Sequence, residues 1–309
     1  MGAIGSPVAA PYIPPIDRRA LPGGIVSSEL EQMEHPLGLR RLGYAGPTLA
    51  QAALVYGPGG VTPSDEVVAE EVPVALAYNG VPHAVMMATP DDLEDFAVGF
   101  SVTEELVPAP ADILGLRVDR YALGIEIQVS VTEACAAAIA RRTRSLTGRT
   151  GCGICGSSTI EGVLKQLHQV PAGPPVTTTA IARALAELGT RQPLNARTGA
   201  VHAAAWATLE GELALVREDV GRHNALDKLV GARFRGDPPP AGFVVVTSRA
   251  SFEMVQKATV LGAPLLAAIS GPTGLALRVA QQAGLTLVGF ARGDRLTAYT
   301  HPERLRAPA

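Results

Sequence analysis

The feature that most constrains the fold is an alternation of short apolar runs and helical patterns near the C-terminus. The runs FVVVTS, PLLAAIS and LTLVGF are separated by two segments with helix signals, which extend from Ser251 to Gly262 and from Thr273 to Gly284. Continuous apolar runs of this kind are typical of strands that are buried on both faces. Strand, helix and strand joined by short links predict a parallel sheet with right-handed crossovers, and hence an α/β fold.

Polar residues follow each of these three strands. The segments are Thr247 to Arg249, Ser270 to Thr273 and Phe290 to Arg295. Ligands of open α/β sheets bind beyond the carboxyl ends of the strands. Hydroxyl groups, guanidinium groups and helix N-termini all bind phosphate. This edge of the sheet is therefore the predicted ligand site.

The first half of the chain has a different pattern. Residues 1–64 are rich in proline and glycine and are predicted to form a mobile extension. Order is expected from about Asp65, because residues 65–148 predict a smaller α+β part with two hairpins, the first of which turns at Asn79-Gly80. Thr89 is predicted to cap a helix that has Pro90 in its first position. Residues 149–305 are assigned to the α/β core.

Composition disfavours several classes of protein. The net charge of −3 and the aromatic content of 4% disfavour a protein that binds nucleic acid. The longest apolar run, Ala258 to Ile269, is shorter than the roughly 20 residues of a membrane span, and the N-terminus shows no signal-peptide pattern. Three cysteines are too few for a disulfide scaffold and indicate a reducing compartment, so a cytoplasmic protein is expected.

Two of the cysteines, Cys152 and Cys155, form a CxxC motif within a glycine-rich run. Glycines let a backbone move and approach a partner closely. The motif is followed by Ser158-x-x-Glu161, a capping box that predicts a helix. A helix N-terminus and a nearby cation, here Arg149, lower the pKa of a thiol. The pattern predicts a mobile loop that carries a reactive sulfur atom.

Other interpretations of the CxxC motif stay open. A structural zinc site needs four ligands, and only Cys135 and His168 lie near enough in sequence to join the pair. A thioredoxin-like redox pair is expected beside a βαβ pattern, which appears here only much later in the chain. Cys135 has alanine neighbours and is typical of a packed residue. No resident metal site is predicted.

A polar cluster from Glu218 to Lys228 is the second candidate for chemistry. Asp219, His223 and Asp227 recur every four residues and are predicted to share one helix face. Such a face is either solvated or part of a functional site, and the spacing does not decide between the two. His202, which stands alone after a turn, is more typical of a histidine in the core.

Several of these segments resemble one protein family. GCGICG, TGAVHAA, EDVGRHNALDKLVG, SRASFEMVQKA and GLTLVGFARGDR occur in the order seen in the FdhD family of formate dehydrogenase accessory sulfurtransferases. The resemblance extends from about Asp65 to His301. Ala200 and Glu105 depart from the family pattern, because both occupy places that are typically glycine.

The resemblance implies a fold and an activity. The fold is a three-layer α/β/α core similar to cytidine deaminases, with a smaller N-terminal β-rich α+β part, in a homodimer. A cysteine desulfurase is expected to transfer sulfur as a persulfide to the CxxC pair, with Cys152 favoured as the carrier and Cys155 as its helper. The sulfur then passes to the molybdenum or tungsten of a bis-guanine-dinucleotide cofactor, which is inserted into formate dehydrogenase.

This cofactor is a bound cargo, for which GDP is the expected mimic. The resemblance assigns its nucleotide part to Phe290, Ala291, Arg292, Gly293, Asp294 and Arg295. Its pyrophosphate groups need a site for polyanions, which is expected to consist of Arg249, Ser270, Thr273, Arg292 and Arg295. Arg222 and His223 are expected to line the same cavity.

Three other functions compete with this one. A zinc deaminase needs His-x-Glu followed by Pro-Cys-x-x-Cys, and His202-Ala203-Ala204 lacks the glutamate. A non-enzymatic chaperone would bind and deliver the cofactor while the cysteines only dock a partner. A thiol–disulfide oxidoreductase would instead cycle a disulfide between Cys152 and Cys155. The sequence disfavours the first and leaves the last two open.

Overall fold

The structure is a computed structural model that describes residues 46–146 and 167–307. The strands within these residues are β1 Thr48–Gly57, β2 Gly60–Ala69, β3 Val72–Tyr78, β4 Val81–Ala88, β5 Ile113–Tyr121, β6 Gly124–Val131, β7 Val176–Thr177, β8 His202–Thr208, β9 Leu213–Asp219, β10 Gly242–Val246, β11 Leu265–Ala268, β12 Thr286–Arg292, β13 Arg295–Ala298 and β14 Leu305–Arg306. The α-helices are α1 Leu93–Thr103, α2 Glu133–Leu146, α3 Thr178–Thr190, α4 Pro193–Thr198, α5 Arg222–Arg235, α6 Phe252–Val260 and α7 Gly274–Ala283. None of the helices in these two ranges is long and apolar enough to cross a membrane.

The larger sheet has six strands in the order β13-β12-β11-β10-β8-β9. β10, β11 and β12 run parallel, as the sequence predicts, whereas β8, β9 and β13 are antiparallel to their neighbours. Every residue of β10 is buried because helices cover both faces of the sheet. One face packs on α5, α6 and α7, and the opposite face packs on α3. The fold is therefore mixed α/β, while its likeness to cytidine deaminases stays a prediction.

The smaller sheet has the strand order β4-β3-β6-β5 and a core of its own with α1 and α2. The hairpin turn predicted between β3 and β4 is confirmed, since Asn79 and Gly80 take φ angles of 46° and 83°. The Asn79 side chain also exchanges two hydrogen bonds with the backbone of Val131, at 3.0 and 2.8 Å. These bonds tie the turn to the end of β6. The domain limits at residues 148 and 305 stay predictions.

Two glycines set the contact between the two parts of the chain. A Cβ atom at Gly99 of α1 would lie 1.7 Å from the carbonyl oxygen of Asp227. A Cβ atom at Gly231 of α5 would lie 1.8 Å from the carbonyl oxygen of Asp95. Helices approach this closely only where side chains are absent. The smaller sheet is therefore joined to the larger one through a tight contact of α1 with α5.

Regular structure begins earlier in the chain than expected. β1 and β2 form an antiparallel hairpin whose register runs from Thr48 opposite Ala69 to Gly57 opposite Gly60. The expected start of order near Asp65 is thus corrected. The proline and glycine residues that indicated a mobile extension include Pro58 and Gly59, which form the turn between β1 and β2, and this explains the error. Residues 1–45 lie outside the described part of the chain, so their mobility stays a prediction.

The observed ends of α7 and α1 show which of the predicted capping residues are correct. α7 begins and ends as predicted, because Thr273 Oγ1 accepts the N–H of Ala276 at 3.3 Å and Gly284 takes a φ of 73° after the last turn. The prediction for Thr89 is wrong, since α1 begins at Leu93. Thr89 instead binds the end of β9, where its Oγ1 accepts the N–H of Val220 at 3.1 Å.

Glu105, one of the two departures from the family pattern, follows α1 with a φ of 55°. This left-handed region favours glycine. The glutamate side chain forms an ion pair there, because its Oε1 lies 2.9 Å from His168 Nε2. The chain just after the undescribed segment 147–166 is thereby held at the end of α1.

Candidate functional site

The ligand site predicted from the sequence lies at one edge of the six-stranded sheet, where β10, β11 and β12 all end. β8 is antiparallel to β10 and pairs Ala204 with Val246, so its first residue, His202, lies at the same edge. β9 pairs Asp219 with His202, and α5 begins shortly after it. This edge, called the carboxyl edge below, brings together the residues that the sequence assigned to cofactor binding.

Phe290 is an exposed aromatic residue at the carboxyl edge. Between the cross-strand pairs Gly289–Thr297 and Arg292–Arg295, β12 has two residues where β13 has one, which makes a β-bulge. Phe290 takes a φ of 50° in this bulge, and bulges redirect side chains. The residue is 51% exposed, and its N–H donates to the carbonyl oxygen of Ser270 at 3.2 Å. Its ring lies over Gly271, where a Cβ atom would come within 2.7 Å of the ring. The bulge and the glycine thus hold an aromatic face at the edge.

Three arginines belong to the loops of the same edge. Arg249, Arg292 and Arg295 are exposed, and none of their side chains has a hydrogen bond or an ion pair with another residue of the two described ranges. Arg292 and Arg295 are cross-strand partners on either side of the turn formed by Gly293 and Asp294. Guanidinium groups at directly opposite positions repel each other. A polyanion between them would relieve this repulsion and accept their N–H groups.

The other residues of these loops that were predicted to bind the cofactor differ in which of their polar groups remain free for a ligand. Ala291 is 2% exposed, so its side chain belongs to the core. The N–H of Thr273 donates to Ala250 at 3.1 Å, and its hydroxyl caps α7. Ser270 is half-buried and binds Phe290 through its carbonyl oxygen. Thr273 and Ser270 therefore shape the loops, and only their hydroxyl protons stay available to a ligand.

Arg222 and His223 are the first two residues of α5 and lie at the other side of the carboxyl edge. His223 Nε2 lies 3.2 Å from Glu253 Oε2, and Ser251 Oγ donates to the same oxygen at 3.0 Å. The nearby imidazole ring of His223 lowers the pKa of Glu253 against the opposing effect of burial, and Ser251 and the charge of Arg222 lower it further. Glu253 is therefore ionised, and it orients the imidazole ring of His223.

Asp219 does not share a helix face with His223, and that prediction is wrong because Asp219 is the last residue of β9. Its buried carboxylate accepts the N–H of Gly221 at 2.8 Å and that of Thr89 at 3.0 Å. Lys228 Nζ lies 2.7 Å from Asp219 Oδ2, and both side chains are fully buried. Asp219 thus fixes the start of α5 and joins it to the smaller sheet.

Asp227 and Lys257 form a second buried ion pair, at 2.8 Å, between α5 and α6. Thr103 Oγ1 donates to Asp227 Oδ1 at 2.6 Å, and Lys257 Nζ also reaches Glu104 Oε1 at 3.0 Å. The solvated-face interpretation of the polar cluster is wrong for this part of α5, which is buried against α1. Only Arg222 and His223, at the start of the helix, reach the carboxyl edge.

A cavity of about 540 Å³ lies along β9, away from the carboxyl edge. It is lined by charged residues such as Asp92, Arg197 and Arg217 and by the prolines Pro47 and Pro193. It contains none of the residues that the sequence assigned to sulfur transfer or cofactor binding, so we do not assign it to the cofactor.

Comparison with known proteins identifies the family. Residues 69–306 match the family model described as the FdhD/NarQ family. The chain belongs to the FdhD/NarQ family. Among its relatives, a protein of Bordetella petrii named sulfur carrier protein FdhD is 52% identical over 262 residues, which cover 83% of this chain and 94% of the relative. A protein of the same name from Variovorax paradoxus is 54% identical over 239 residues, covering 77% and 86%.

A solved structure shares the fold. It is a crystal structure from Desulfotalea psychrophila that is described as a formate dehydrogenase accessory protein. It superimposes with a TM-score of 0.69 at 28% sequence identity and covers 84% of this chain and 100% of its own. The family resemblance inferred from the sequence motifs is therefore confirmed.

The two cysteines of the CxxC motif in this FdhD/NarQ chain, Cys152 and Cys155, lie outside the described residues. The described residues on either side of segment 147–166 both bind the end of α1. Arg142 Nη1 donates to the carbonyl oxygen of Glu104 at 3.0 Å, and His168 pairs with Glu105. Arg142 and His168, one on each side of the segment that carries the cysteines, thus both contact the end of α1.

Sequence reasoning missed Glu253, although its position in the first turn of α6 was a signal. Acidic residues in a first helical turn are usually explained by the helix dipole, which hides a second role. Lys257 was missed as well, because its partner Asp227 belongs to another helix and is thirty residues away. Only the tertiary structure of this FdhD/NarQ protein reveals both contacts.

His202 gives a prediction for the pH dependence of stability. Burial lowers its pKa, and the charges of Arg222 and His223 lower it further. A histidine whose pKa is lower in the folded state binds its proton first in the unfolded state, so stability falls as the pH drops below about 6.5. Urea unfolding at several pH values should show that the free energy of unfolding decreases less at acidic pH for His202→Gln than for the wild type. Parallel curves for the two proteins would contradict this.

Proposed function

We propose that this chain is a sulfur carrier for formate dehydrogenase maturation. It takes persulfide sulfur from a cysteine desulfurase onto Cys152, with Cys155 as helper, and passes it to the molybdenum or tungsten of a bis-guanine-dinucleotide cofactor. The relatives named sulfur carrier protein FdhD and the structural neighbour described as a formate dehydrogenase accessory protein support this proposal. We expect the protein to act as a homodimer in the cytoplasm.

The loading step is a thiol exchange with a persulfide. The thiolate of Cys152 attacks the outer sulfur of the donor persulfide, a new S–S bond forms, and the donor cysteine leaves as a thiolate. Such a step needs a nucleophilic thiolate on a segment that can reach another protein. The glycine-rich sequence around the CxxC motif fits this requirement.

The observation that carries the proposal is the exposed ring of Phe290 at the same sheet edge as three arginines whose side chains have no partner in the two described ranges. Aromatic faces stack on nucleobases, and guanidinium groups bind phosphate in a bidentate manner. Arg249, Arg292 and Arg295 would hold the pyrophosphate groups of the cargo while Phe290 stacks on a guanine base. A protein that only exchanges disulfides does not need a binding site for a nucleobase and pyrophosphate groups.

Arg222 and His223 are proposed to contact the same cargo from the other side of the carboxyl edge. The Nε atom of Arg222 is buried and has no hydrogen-bond partner in the described residues. Buried donors are nearly always paired, so this atom points to a ligand. His223 is held by Glu253 and presents its second ring nitrogen, Nδ1.

The cysteines are close in sequence to α2, whose partner α1 contacts the helix that carries His223. Cys152 follows the end of α2 at Leu146 by six residues, which span up to about 20 Å when extended. The end of α1 that holds both flanks of the segment is linked through Lys257 to Asp227. Asp227 lies one helical turn, about 6 Å, from His223.

The alternative is a chaperone that binds and delivers the cofactor without carrying sulfur. The carboxyl edge serves this function equally well, because it concerns only cargo binding. The two functions differ in whether the thiols of Cys152 and Cys155 are needed.

Replacing Phe290 by alanine should weaken the binding of GDP, the mimic of the cargo, by about 10- to 100-fold, which is the usual loss of one base–aromatic stack. Isothermal titration calorimetry would measure the affinities. Tyr121→Ala removes another exposed aromatic ring, at the end of β5, and should leave the affinity unchanged. Equal affinities of the wild type and Phe290→Ala would exclude this stacking role.

A further inference from the structure

The cavity along β9 lies at an open edge of the six-stranded sheet and is called the β9 cleft below. β9 is the last strand of this sheet, and no strand of residues 46–146 and 167–307 pairs with its outer side. Open edges bind further strands through their free backbone groups. The cleft, of about 540 Å³, is lined by Ala214 to Glu218, which are most of β9. It therefore follows the part of the edge at which an added strand would bind.

The hydrogen bonds of Ala203 show which backbone groups of β9 face the cleft. Its N–H donates to Thr247 Oγ1 at 2.9 Å and its carbonyl oxygen accepts the N–H of Thr247 at 3.1 Å, on the β10 side of β8. Ala203 therefore does not bond to Glu218, its partner on β9. Because bonded and non-bonded pairs alternate in an antiparallel ladder, the N–H groups of Val216 and Glu218 both point away from β8. Neither has an acceptor within the described part of the chain.

Side chains close the outer edge of β9 at both ends and leave its middle open. At the start of the strand, the N–H of Leu213 donates to Glu187 Oε2 at 3.3 Å, and its carbonyl oxygen accepts the side chain of Arg191. Just past the other end, the N–H of Val220 donates to Thr89 Oγ1 at 3.1 Å. The open stretch extends over residues 214–218 and is about 16 Å long. It is therefore bounded on both sides and fits one short strand.

The described chain begins at the β9 cleft, since Pro47 is one of the lining residues. Two contacts fix this position. The carbonyl oxygen of Pro47 accepts the N–H of Glu70 at 3.0 Å, and β2 packs against α4, which forms one wall of the cleft. The residues that precede Gly46 in the sequence are therefore attached to the chain at the cleft itself.

The cleft contains two carboxylates that favour a cation. Asp91 is exposed and has no ion pair with another residue of the two described ranges. Asp92 Oδ2 lies 3.4 Å from Arg217, which also binds Asp95. Burial raises the pKa of Asp92, and the charges of Asp91 and Asp95 raise it as well, against the effect of Arg217. A further cation in the cleft would offset these effects and stabilise both carboxylates.

We propose that residues 38–45, with the sequence GLRRLGYA, occupy the β9 cleft as a seventh strand of the larger sheet. The backbone of this strand accepts the outward N–H groups of Val216 and Glu218. The five residues from Arg41 to Gly46 span about 16 Å when extended, which equals the length of the open edge.

The charges of the segment match both walls of the cleft. Adjacent side chains of a strand point to opposite faces, so Arg40 and Arg41 face different walls. One wall carries Asp91 and Asp92, and the other carries the carboxylate of Glu218, which accepts the N–H groups at the start of α4. None of these residues is assigned to sulfur transfer or to the cofactor, so the proposal does not depend on the proposed function.

Two pairs of neighbouring arginines provide matched variants. Arg40→Glu/Arg41→Glu reverses the charges of the proposed strand, and Arg18→Glu/Arg19→Glu makes the same change earlier in the chain. Hydrogen–deuterium exchange of the full chain, resolved to single amides, should show that the N–H of Val216 is protected in the wild type and in Arg18→Glu/Arg19→Glu. It should exchange about 10- to 100-fold faster in Arg40→Glu/Arg41→Glu. An unprotected Val216 in the wild type, or equal exchange in the two variants, would overturn the proposal.

A crosslink tests the position of the segment even if the charge reversal disturbs the fold. Asp91→Cys/Arg41→Cys and its control Asp91→Cys/Arg19→Cys, both combined with Cys152→Ser/Cys155→Ser, would be treated with a bis-maleimide that can reach either face of a strand. Cys135 is 5% exposed and should not react. Mass spectrometry of the digested monomer should link residue 91 to residue 41 and not to residue 19. Equal links in both variants, or links only between two copies, would contradict the proposal.

Discussion

Replacing Asp227 by alanine should lower the free energy of unfolding by about 3 to 5 kcal/mol, the usual cost of breaking a buried ion pair. Asp227 is 1% exposed and accepts hydrogen bonds from Thr103 and from Lys257, whose Nζ lies 2.8 Å from one carboxylate oxygen and 3.0 Å from the other. Its removal leaves the buried ammonium group of Lys257 with Glu104 as its remaining carboxylate partner.

Burial and charge act against each other in this ion pair. Burial raises the pKa of Asp227, and the charge of Lys257 lowers it only in part. Burial alone would lower the pKa of Lys257, but the charges of Asp227 and Glu104 outweigh it and raise the pKa above its usual value. The loss of Asp227 therefore removes the largest interaction that favours the charged form of Lys257, and the buried amine then bears the cost of burial with Glu104 as its remaining carboxylate partner.

Urea unfolding would measure this loss by linear extrapolation of the free energy to water. Asp227→Leu/Lys257→Met removes both charges and should recover most of the stability, because apolar residues of similar volume replace a buried pair at little cost. Glu212→Ala breaks the exposed ion pair with Arg183 and should cost less than about 1 kcal/mol. If Asp227→Ala lowered the free energy of unfolding no more than Glu212→Ala does, the buried ion pair would not have the expected contribution to stability.

Replacing both Cys152 and Cys155 by serine should abolish the activation of formate dehydrogenase, because a hydroxyl group cannot carry a persulfide. Cys135→Ser is the matched control. Cys135 is 5% exposed and packs in the core of the smaller sheet, so this variant should retain the activation. The measurement is the activity of the dehydrogenase purified from cells that contain each variant.

The serine variants also separate the two proposed functions. A chaperone without sulfur transfer would still deliver the cofactor, so GDP binding and dehydrogenase activity would both persist. A sulfur carrier would retain GDP binding at the carboxyl edge but lose the dehydrogenase activity. Full activity in the double serine variant would thus favour the chaperone.

Local signals were sufficient to predict the parallel strands and the ends of α7. Thr273 and Gly284 act through their own hydrogen bonds and backbone angles, so their roles can be derived from neighbouring residues. Phe290 and the three arginines followed from the rule that ligands bind beyond the carboxyl ends of parallel strands. The bulge that orients Phe290 was not evident from the sequence.

Contacts between distant parts of the chain explain the errors. Thr89 has the signals of a helix cap, but its hydroxyl and its N–H bind residues of the β9 end, more than a hundred positions away. Asp227 has helical spacing that fits a solvated face, yet Gly99 lets α1 cover it. Neither contact can be derived from local propensity, because the partner belongs to another element.

Mass spectrometry of the peptide that contains Cys152 and Cys155 would show whether a sulfur atom is carried by the CxxC motif. The full chain would be incubated with an active cysteine desulfurase and cysteine, with a parallel sample that lacks the desulfurase. The account predicts one added sulfur atom on Cys152, or on Cys155 as its helper, only when the desulfurase is present. An unmodified peptide in both samples, with the desulfurase shown to be active, would contradict it.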